Sequence, residues 1–255
     1  MQNLVHISPK AQIDSSVKID SFTTIHEDVE IGANTWIGSN VTIYQGARIG
    51  ENVKIFPGAV ISAIPQDLKF KGEYTTLEIG NNSTIRECAT LNRGTEDKWK
   101  TTIGENCLIM AYVHVAHDCS ISNNVIIANA VQMAGHVEVG EYSIIGGSSA
   151  IHQFTKIGKH CMISGGSLVR KDVPHFTKSG REPLNYVGIN SLGLKRRGFS
   201  DSKIEEINEL YRYIYQRGLN TKSALEEIEK NILPSKERDE IIDFIRSSER
   251  GIMKG

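Results

Sequence analysis

Four cysteines in 255 residues, Cys88, Cys107, Cys119 and Cys161, form no C-x-x-C pair and are too sparse for a secreted disulfide scaffold. They are expected to be reduced core residues, because three of them share one phase of the repeat described below. Charge of one sign is also missing. The formal net charge is -1, so the chain is no bulk polyanion binder, and nucleic acid is not an expected partner. No apolar run approaches the ~20 residues of a membrane-spanning helix. The opening MQNLVHISPK lacks the basic-then-apolar pattern of a signal peptide. A soluble, cytoplasmic protein with no membrane span is therefore expected, long enough for one large domain or a large and a small one.

What the chain does contain is a repeat. Isoleucine stands at positions 7, 13, 19, 25, 31, 37, 43, 49, 55 and 61, a step of six without interruption. The same phase continues through Ile79, Ile85, Leu91, Ile103, Ile109, Val115, Ile121, Ile127, Met133, Val139, Ile145, Ile151, Ile157, Ile163 and Val169, broken only by Asp67, Glu73 and Asp97. Two residues before each sits a small or β-branched residue, such as Val5, Ala11, Val17 and Thr23. Side chains two apart on a strand share a face, so both rows point inward while His6, Gln12 or Lys18 point out. Glycine often follows the aliphatic position, as at Gly32, Gly38, Gly50, Gly80, Gly104, Gly140, Gly146 and Gly158. A tight corner with positive φ is expected there. A period of 3.6 cannot keep a six-residue stripe on one side, which excludes a helix and leaves a solenoid of short strands.

These repeats resemble the hexapeptide-repeat acyltransferases. The resemblance implies a mainly β fold, a left-handed parallel β-helix with three strands, or eighteen residues, per coil. The β-helix is expected over residues 1–172, with loop excursions near 62–76 and 92–102 where polar residues break the phase. A connecting segment, 173–199, leads to a C-terminal α-helical domain, 200–255. In that domain Ser200 reads as an N-cap, Ile204, Ile207, Tyr211 and Ile214 keep helical spacing, and Gly218 stops the first helix. Thr221 and Ser235 start two more, the last carrying Ile241, Ile242 and Ile245. A helical cap on the open end of the solenoid, or packing on a neighbouring subunit, accounts for this tail without a catalytic role.

With eighteen residues per coil, His117, Gly135 and Gln153 stack on one line, His136 and His152 lie beside it, and His114 is just upstream. Four of the eight histidines gather at this corner. His117 follows Val115 into the turn, points away from the column, and is the candidate general base. Asp118 would hold its other ring nitrogen if the corner bends the two together. Gly135 has no side chain in the way, so its amide would face a developing oxyanion. A second chemical reading is zinc held by His114, His117 and His136, as in the gamma-class carbonic anhydrases that share the fold. That reading gives the first excursion and the helical tail no purpose, so no metal is expected.

The resemblance narrows at VHVAHDC (113–119), MAGHVEVG (133–140), IIGGSSAIHQF (144–154), QDLKF (66–70) and GLKRRGFS (193–200). In this order they look like the UDP-N-acetylglucosamine 3-O-acyltransferase family of lipid A biosynthesis, over essentially the whole chain. The resemblance implies transfer of a (3R)-hydroxyacyl chain from acyl carrier protein to the glucosamine 3-hydroxyl of UDP-N-acetylglucosamine. His117 would be the base and the Gly135 amide the oxyanion donor. No cofactor is implied beyond the carrier's phosphopantetheine. Asp67 and Lys69 would bind the sugar or the acyl hydroxyl. His114, His136, His152 and Gln153 would line the sugar and diphosphate site, with Asn190 and Arg196 reaching in from another subunit of a homotrimer. Gly165 would mark the end of the acyl groove, and glycine there favours a long chain. Lys156, Lys159, Arg170, Lys171, Lys195, Arg196 and Arg197 would offer a basic surface to the acidic carrier protein. The chain departs from the pattern at Asn92, where histidine is expected, and at Ser191-Leu192, where an acidic residue is expected.

The remaining alternatives are other hexapeptide acyltransferases and a non-catalytic scaffold. A glucosamine N-acyltransferase normally carries an N-terminal uridine-binding domain, whereas the repeats here start at Ile7. An acetyl-CoA enzyme would not need the small residues at 164–167. A β-helix scaffold or ice-binding protein would repeat identical residues on an outward face, and the outward residues here vary.

Overall fold

The computed structural model describes residues 4–255; residues 1–3, which fall within the expected β-helix span, lie outside the described residues. Strands of mostly two residues, nearly all ending on the six-residue phase, form three sheets of nine, eight and ten strands, parallel except for one pair near the C-terminal end. Chain and sheets are related by a fixed register. Thr24 pairs with Thr42, Trp36 with Lys54 and His114 with Gln132, each eighteen residues on. Consecutive strands therefore fall on the first, second and third sheet in turn. The row of isoleucines, with the valine, alanine and cysteine row beside it, fills one column along the axis. Burying such a side chain is worth about 1.5–3 kcal/mol. Ile7, in the first described strand, is exposed at the edge of the first sheet.

The two excursions preserve phase because of their lengths. Val60 pairs with Thr90, thirty residues on, and Thr90 with His114, twenty-four on, so the interrupted coils exceed eighteen residues by multiples of six. The strands beside them lengthen to four residues, Val60–Ala63, Thr76–Ile79 and Lys100–Ile103, which brings the excursions back onto their sheets.

The corners correct one expectation. The glycines after the aliphatic row do not have positive φ; that conformation belongs to the residue three after the aliphatic one, such as Asn34, Asn40, Asn106, Asp118 and His136. Asparagine and aspartate tolerate the left-handed region better than most side chains. Glycine serves the stacking instead. A Cβ at Gly32 would lie 2.7 Å from the Gly50 carbonyl carbon in the next coil.

All four cysteines are free; Cys107, Cys119 and Cys161 lie in the column, while Cys88 is exposed at a corner. Past the last coil strand, Leu168–Val169, the connecting segment contributes Thr177–Gly180 and Asn185–Ile189, an antiparallel pair joined to the third sheet through Met162 and Lys178. A short helix follows, α1 (Ser191–Arg196), which the six-residue pattern did not signal. Helices α2 (Asp201–Tyr215), α3 (Thr221–Asn231) and α4 (Lys236–Arg246) start at the caps Ser200, Asn220 and Ser235. Ile204, Ile207, Tyr211 and Ile214 meet Ile228 and Ile241 in a second core. Met253 enters the main column, and its amide bonds Asp172, so the tail covers the C-terminal end of the solenoid. Among the described residues no helix is long and apolar enough to cross a membrane.

Candidate active site

The corner between the first and second sheets gathers His117, Asp118, Gly135, His136 and Gln153 at successive rungs. Asp118 has a φ of 59°, and this left-handed turn folds its carboxylate back onto the preceding residue. His117 Nδ1 donates to Asp118 Oδ2 at 2.7 Å, so the corner does bend the two together. The carboxylate is fully buried. Burial alone would raise its pKa, but donors from His117 and Thr95 bring it down to about 2. With Nδ1 committed, Nε2 is left for chemistry, facing Asp67 Oδ2 at 3.9 Å.

Gly135 is where the coil arithmetic has its clearest physical effect. A Cβ there would meet His117 Cε1 at 2.6 Å and Nε2 at 2.7 Å, so the imidazole lies flat against a position that only glycine leaves open. The Gly135 carbonyl accepts from Phe154, and its amide makes no hydrogen bond among the described residues.

His136 packs edge-on to His117 at 5.1 Å and stacks on Phe154 at 4.4 Å. Its Nε2 lies 3.7 Å from Asp118, and its Nδ1 lies 3.1 Å from Asp97 in a geometry that makes no hydrogen bond. Burial, partly offset by Asp118, holds this imidazole below its usual pKa. His114 is likewise lowered, by burial and then by His117, while its Nδ1 meets the Thr90 hydroxyl at 2.8 Å. His152 is exposed, its Nδ1 against the Gln153 carbonyl at 3.0 Å. The first excursion folds over this corner. Asp67, Lys69, Glu73, Thr95, Asp97, His136 and Gln153 line a polar cavity of about 510 Å³.

Three predicted residues lie elsewhere. Asn190 and Arg196 line a groove of about 920 Å³ on the third sheet, with the outward residues Leu108, Ile126, Ile144 and Met162. Asn190 is also the cap of α1, accepting from Gly193, and its amide donates to His160 O at 2.9 Å. Gly165 sits at the corner between the third and first sheets, so the first sheet separates it from His117. Its missing Cβ would stand 3.0 Å from Gly147 O. The basic row is narrower than the sequence implies, because Lys159, Arg170 and Lys195 pair with Glu240, Glu182 and Asp201. Asn92, the departure from the family pattern, is buried and donates to Ile64 O at 2.8 Å, which anchors the start of the first excursion.

The zinc reading needs amending in its donor set. The close group is His117, Asp118 and His136, with atoms within 4.8 Å of one another, and His114 is not part of it. Ligands on zinc at ~2.0–2.1 Å stand about 3.3 Å apart in a tetrahedron. The 2.7 Å between His117 and Asp118 matches a shared proton better. Sequence reasoning overlooked Thr95, whose amide and hydroxyl both bond Asp118, and Glu73, which accepts from Glu96 N at 3.2 Å and joins the two excursions. Spacing carried no signal for Thr95, because it lies in the second excursion beyond the paired residues Thr90 and Leu91.

The family profile "Udp N-acetylglucosamine O-acyltransferase; Domain 2" matches residues 172–253, and "Bacterial transferase hexapeptide (six repeats)" matches 28–63 and 100–135. An acyl-[acyl-carrier-protein]–UDP-N-acetylglucosamine O-acyltransferase of Thermodesulfovibrio yellowstonii is 45% identical over 97% of this chain and 96% of its own. One from a Sulfurihydrogenibium species is 54% identical over 96% and 91%. The crystal structure of a UDP-N-acetylglucosamine acyltransferase from Bacteroides fragilis superposes with a TM-score of 0.97 at 49% identity over 100% of both chains.

Proposed function

Because this chain belongs to the acyl-[acyl-carrier-protein]–UDP-N-acetylglucosamine O-acyltransferases of lipid A biosynthesis, we propose that the His117–Asp118 corner is where its acyl transfer takes place. Its fold is the left-handed parallel β-helix of that family with C-terminal helices. The observation that carries the site assignment is the dyad itself, a buried carboxylate bonded to His117 Nδ1 with Nε2 turned to the cavity wall. His117 Nε2 takes the proton of the glucosamine 3-hydroxyl as its oxygen attacks the thioester carbonyl. The tetrahedral oxyanion is received by the Gly135 amide. Collapse expels the phosphopantetheine thiolate, which recovers the proton from His117. Asp118 stays ionised throughout and keeps the base in one tautomer. A thioester is already activated, so the step draws on no metal or further cofactor.

Asp67 and Lys69 contact the sugar or the (3R)-hydroxyl of the acyl chain, and His114, His136, His152 and Gln153 line the sugar diphosphate. Gly165 limits chain length at the far edge of the first sheet. Two further units of the proposal follow from the same layout, the β-helix over 1–172 as the catalytic body and 200–255 as a helical cap joined by 173–199. The enzyme works in the cytoplasm as a homotrimer. In support, Leu108, Ile126, Ile144 and Met162 make an apolar row on the outer side of the third sheet, beside Asn190 and Arg196. A second copy on that row would bring these two residues to a neighbour's His117. Lys171 and Arg196, which make no ion pair among the described residues, would steer the carrier protein.

The test is mass spectrometry of products from the purified protein, UDP-N-acetylglucosamine or its gluco-diamino analogue, and a panel of acylated carrier proteins. His117→Ala should lower kcat by roughly 10²–10⁴-fold; undiminished turnover removes the base assignment. Ile144→Glu should dissociate the trimer in sedimentation, and an unaltered assembly would place the interface elsewhere.

A further inference from the structure

The Asp118 carboxylate is held by more than the histidine it orients. Its Oδ2 accepts from His117 Nδ1 at 2.7 Å and from the Thr95 hydroxyl at 2.6 Å. Its Oδ1 accepts from Thr95 N at 2.9 Å and from Lys98 N at 3.3 Å. Four donors thus occupy a carboxylate that has about four lone-pair sites. Its own amide donates to Thr101 Oγ1 at 2.8 Å, which fixes the backbone under it. Thr95 is itself buried and rigid, since its carbonyl accepts Trp99 N at 2.7 Å. It belongs to the second excursion, the one departure of that coil from eighteen residues, and its neighbour Glu96 is tied to Glu73 of the first excursion.

We infer that Thr95 is a positioning residue for acyl transfer, its hydroxyl and amide clamping Asp118 so that His117 Nε2 faces the sugar hydroxyl. The inference rests on the acyl-transfer reading of this corner. A carboxylate with only the histidine as partner would turn about its Cβ–Cγ bond and carry the imidazole with it. With Oδ1 and Oδ2 both bonded to one residue, rotation breaks two hydrogen bonds at once. The lone pair that His117 uses is then the one left pointing at it. Charge-assisted bonds of this kind are about twice as strong as neutral ones, and the Asp118 carboxylate is buried, so a lost donor leaves it under-satisfied. The second excursion therefore serves the base, whereas the first, through Asp67 and Lys69, serves the substrate. Glu73 links the two.

Thr95→Val removes the hydroxyl and keeps the amide and the volume, and Thr95→Ser restores the hydroxyl. In the carrier-protein assay, Thr95→Val should lower kcat by roughly 10- to 100-fold with KM for UDP-N-acetylglucosamine within about 2-fold. The acid limb of its pH profile should move upward, because a carboxylate with one donor fewer binds the proton of the dyad more tightly. Thr95→Ser should recover both. In ¹⁵N-histidine NMR spectra, the low-field Nδ1 proton of His117 should broaden or shift in Thr95→Val and return in Thr95→Ser. A residue that merely folds the excursion would lower thermal stability and leave the pH profile and that resonance unchanged, which overturns the inference. Thr95→Ser as impaired as Thr95→Val also overturns it. Wild-type protein that acylates no UDP-N-acetylglucosamine removes the acyl-transfer reading itself, whereas an active wild type beside an unaltered Thr95→Val removes only the role of Thr95.

Discussion

Alanine at position 135 should disable acyl transfer while leaving the coil folded. Gly135 does not have positive φ, so the backbone accepts a side chain there. The obstacle is the imidazole of His117, which the new Cβ would meet at 2.6 Å. Ordinary contact begins near 3.4 Å, so the ring must retreat by about 0.8 Å. It has little freedom to do so. Nδ1 is bonded to Asp118, His136 packs edge-on at 5.1 Å, and Asp118 is itself clamped by Thr95 and Thr101. Retreat therefore stretches the dyad bond or swings Nε2 off the substrate, and a displacement of ~1 Å at a reacting group costs about 10²-fold in rate. The stability loss is limited to one charge-assisted hydrogen bond, about 1.5–3 kcal/mol. That corresponds to a melting shift of several degrees in a domain of this size, roughly 2–4 °C per kcal/mol. Steady-state assays should thus show kcat down about 100-fold, with little change in KM and a protein that still melts cooperatively. Alanine retains the backbone N–H, so the oxyanion donor is present and the loss reports the base alone. A variant with kcat within about 3-fold of wild type would refute the packing of His117 on this glycine as the basis of its alignment.

Three other perturbations probe different parts of the molecule. Asp118 has its pKa lowered from 3.8 to about 2 in the folded state, so its contribution of about 2 kcal/mol is fully present above pH 3.8 and is lost as pH falls toward 2. Urea unfolding between pH 5 and pH 2 should show that extra loss in wild type and not in Asp118→Asn; equal slopes would contradict it. Gly165→Met should shift acyl-chain competition toward a chain two methylenes shorter by roughly 10-fold, at ~0.8 kcal/mol per methylene. Unchanged chain preference would remove Gly165 as the limit. Ile127, fully buried in mid-column, should cost about 2–5 kcal/mol when replaced by alanine. Ile127→Asp should yield no folded protein, and a stable Asp variant would mean that the column does not hold the coils together.

The column was legible because one rule generates it: a side chain every sixth residue, on a strand whose neighbours pair at a fixed register. Ile25, Ile43 and Ile61 need no information beyond their spacing to be stacked. The same rule delivered His117, Gly135 and Gln153 to one corner, since a constant register carries corner positions along with strand positions. The rule fails where the backbone, not the spacing, decides. Glycine after isoleucine suggested positive φ, yet the left-handed residue lies two positions further on, and the glycine answers to the next coil at Gly50. Asn190 illustrates another limit. Its residue type suits a ligand contact and a helix cap equally, and in the folded chain the amide is engaged as the cap of α1 and as a donor to His160.

The excursions explain why part of the site could not be read from spacing alone. An insertion whose length is a multiple of six keeps the later residues on the same six-residue phase of the sequence. The two coils here lengthen to thirty and twenty-four residues, so the phase survives both. Inside an insertion, however, no register assigns positions, so Asp67 and Thr95 had neighbours that the periodicity did not name. They find them by reaching back over the corner, Asp67 to His117 and Thr95 to Asp118. The repeat thus fixes where His117 stands, the proposed base, and the breaks in the repeat bring Asp67 and Thr95 to it and to Asp118. A rigid solenoid can tolerate such breaks because each coil bonds only its immediate neighbours. The cost of an excursion is therefore confined to the rungs above and below it, which for the second excursion include the rung of His117 and Asp118.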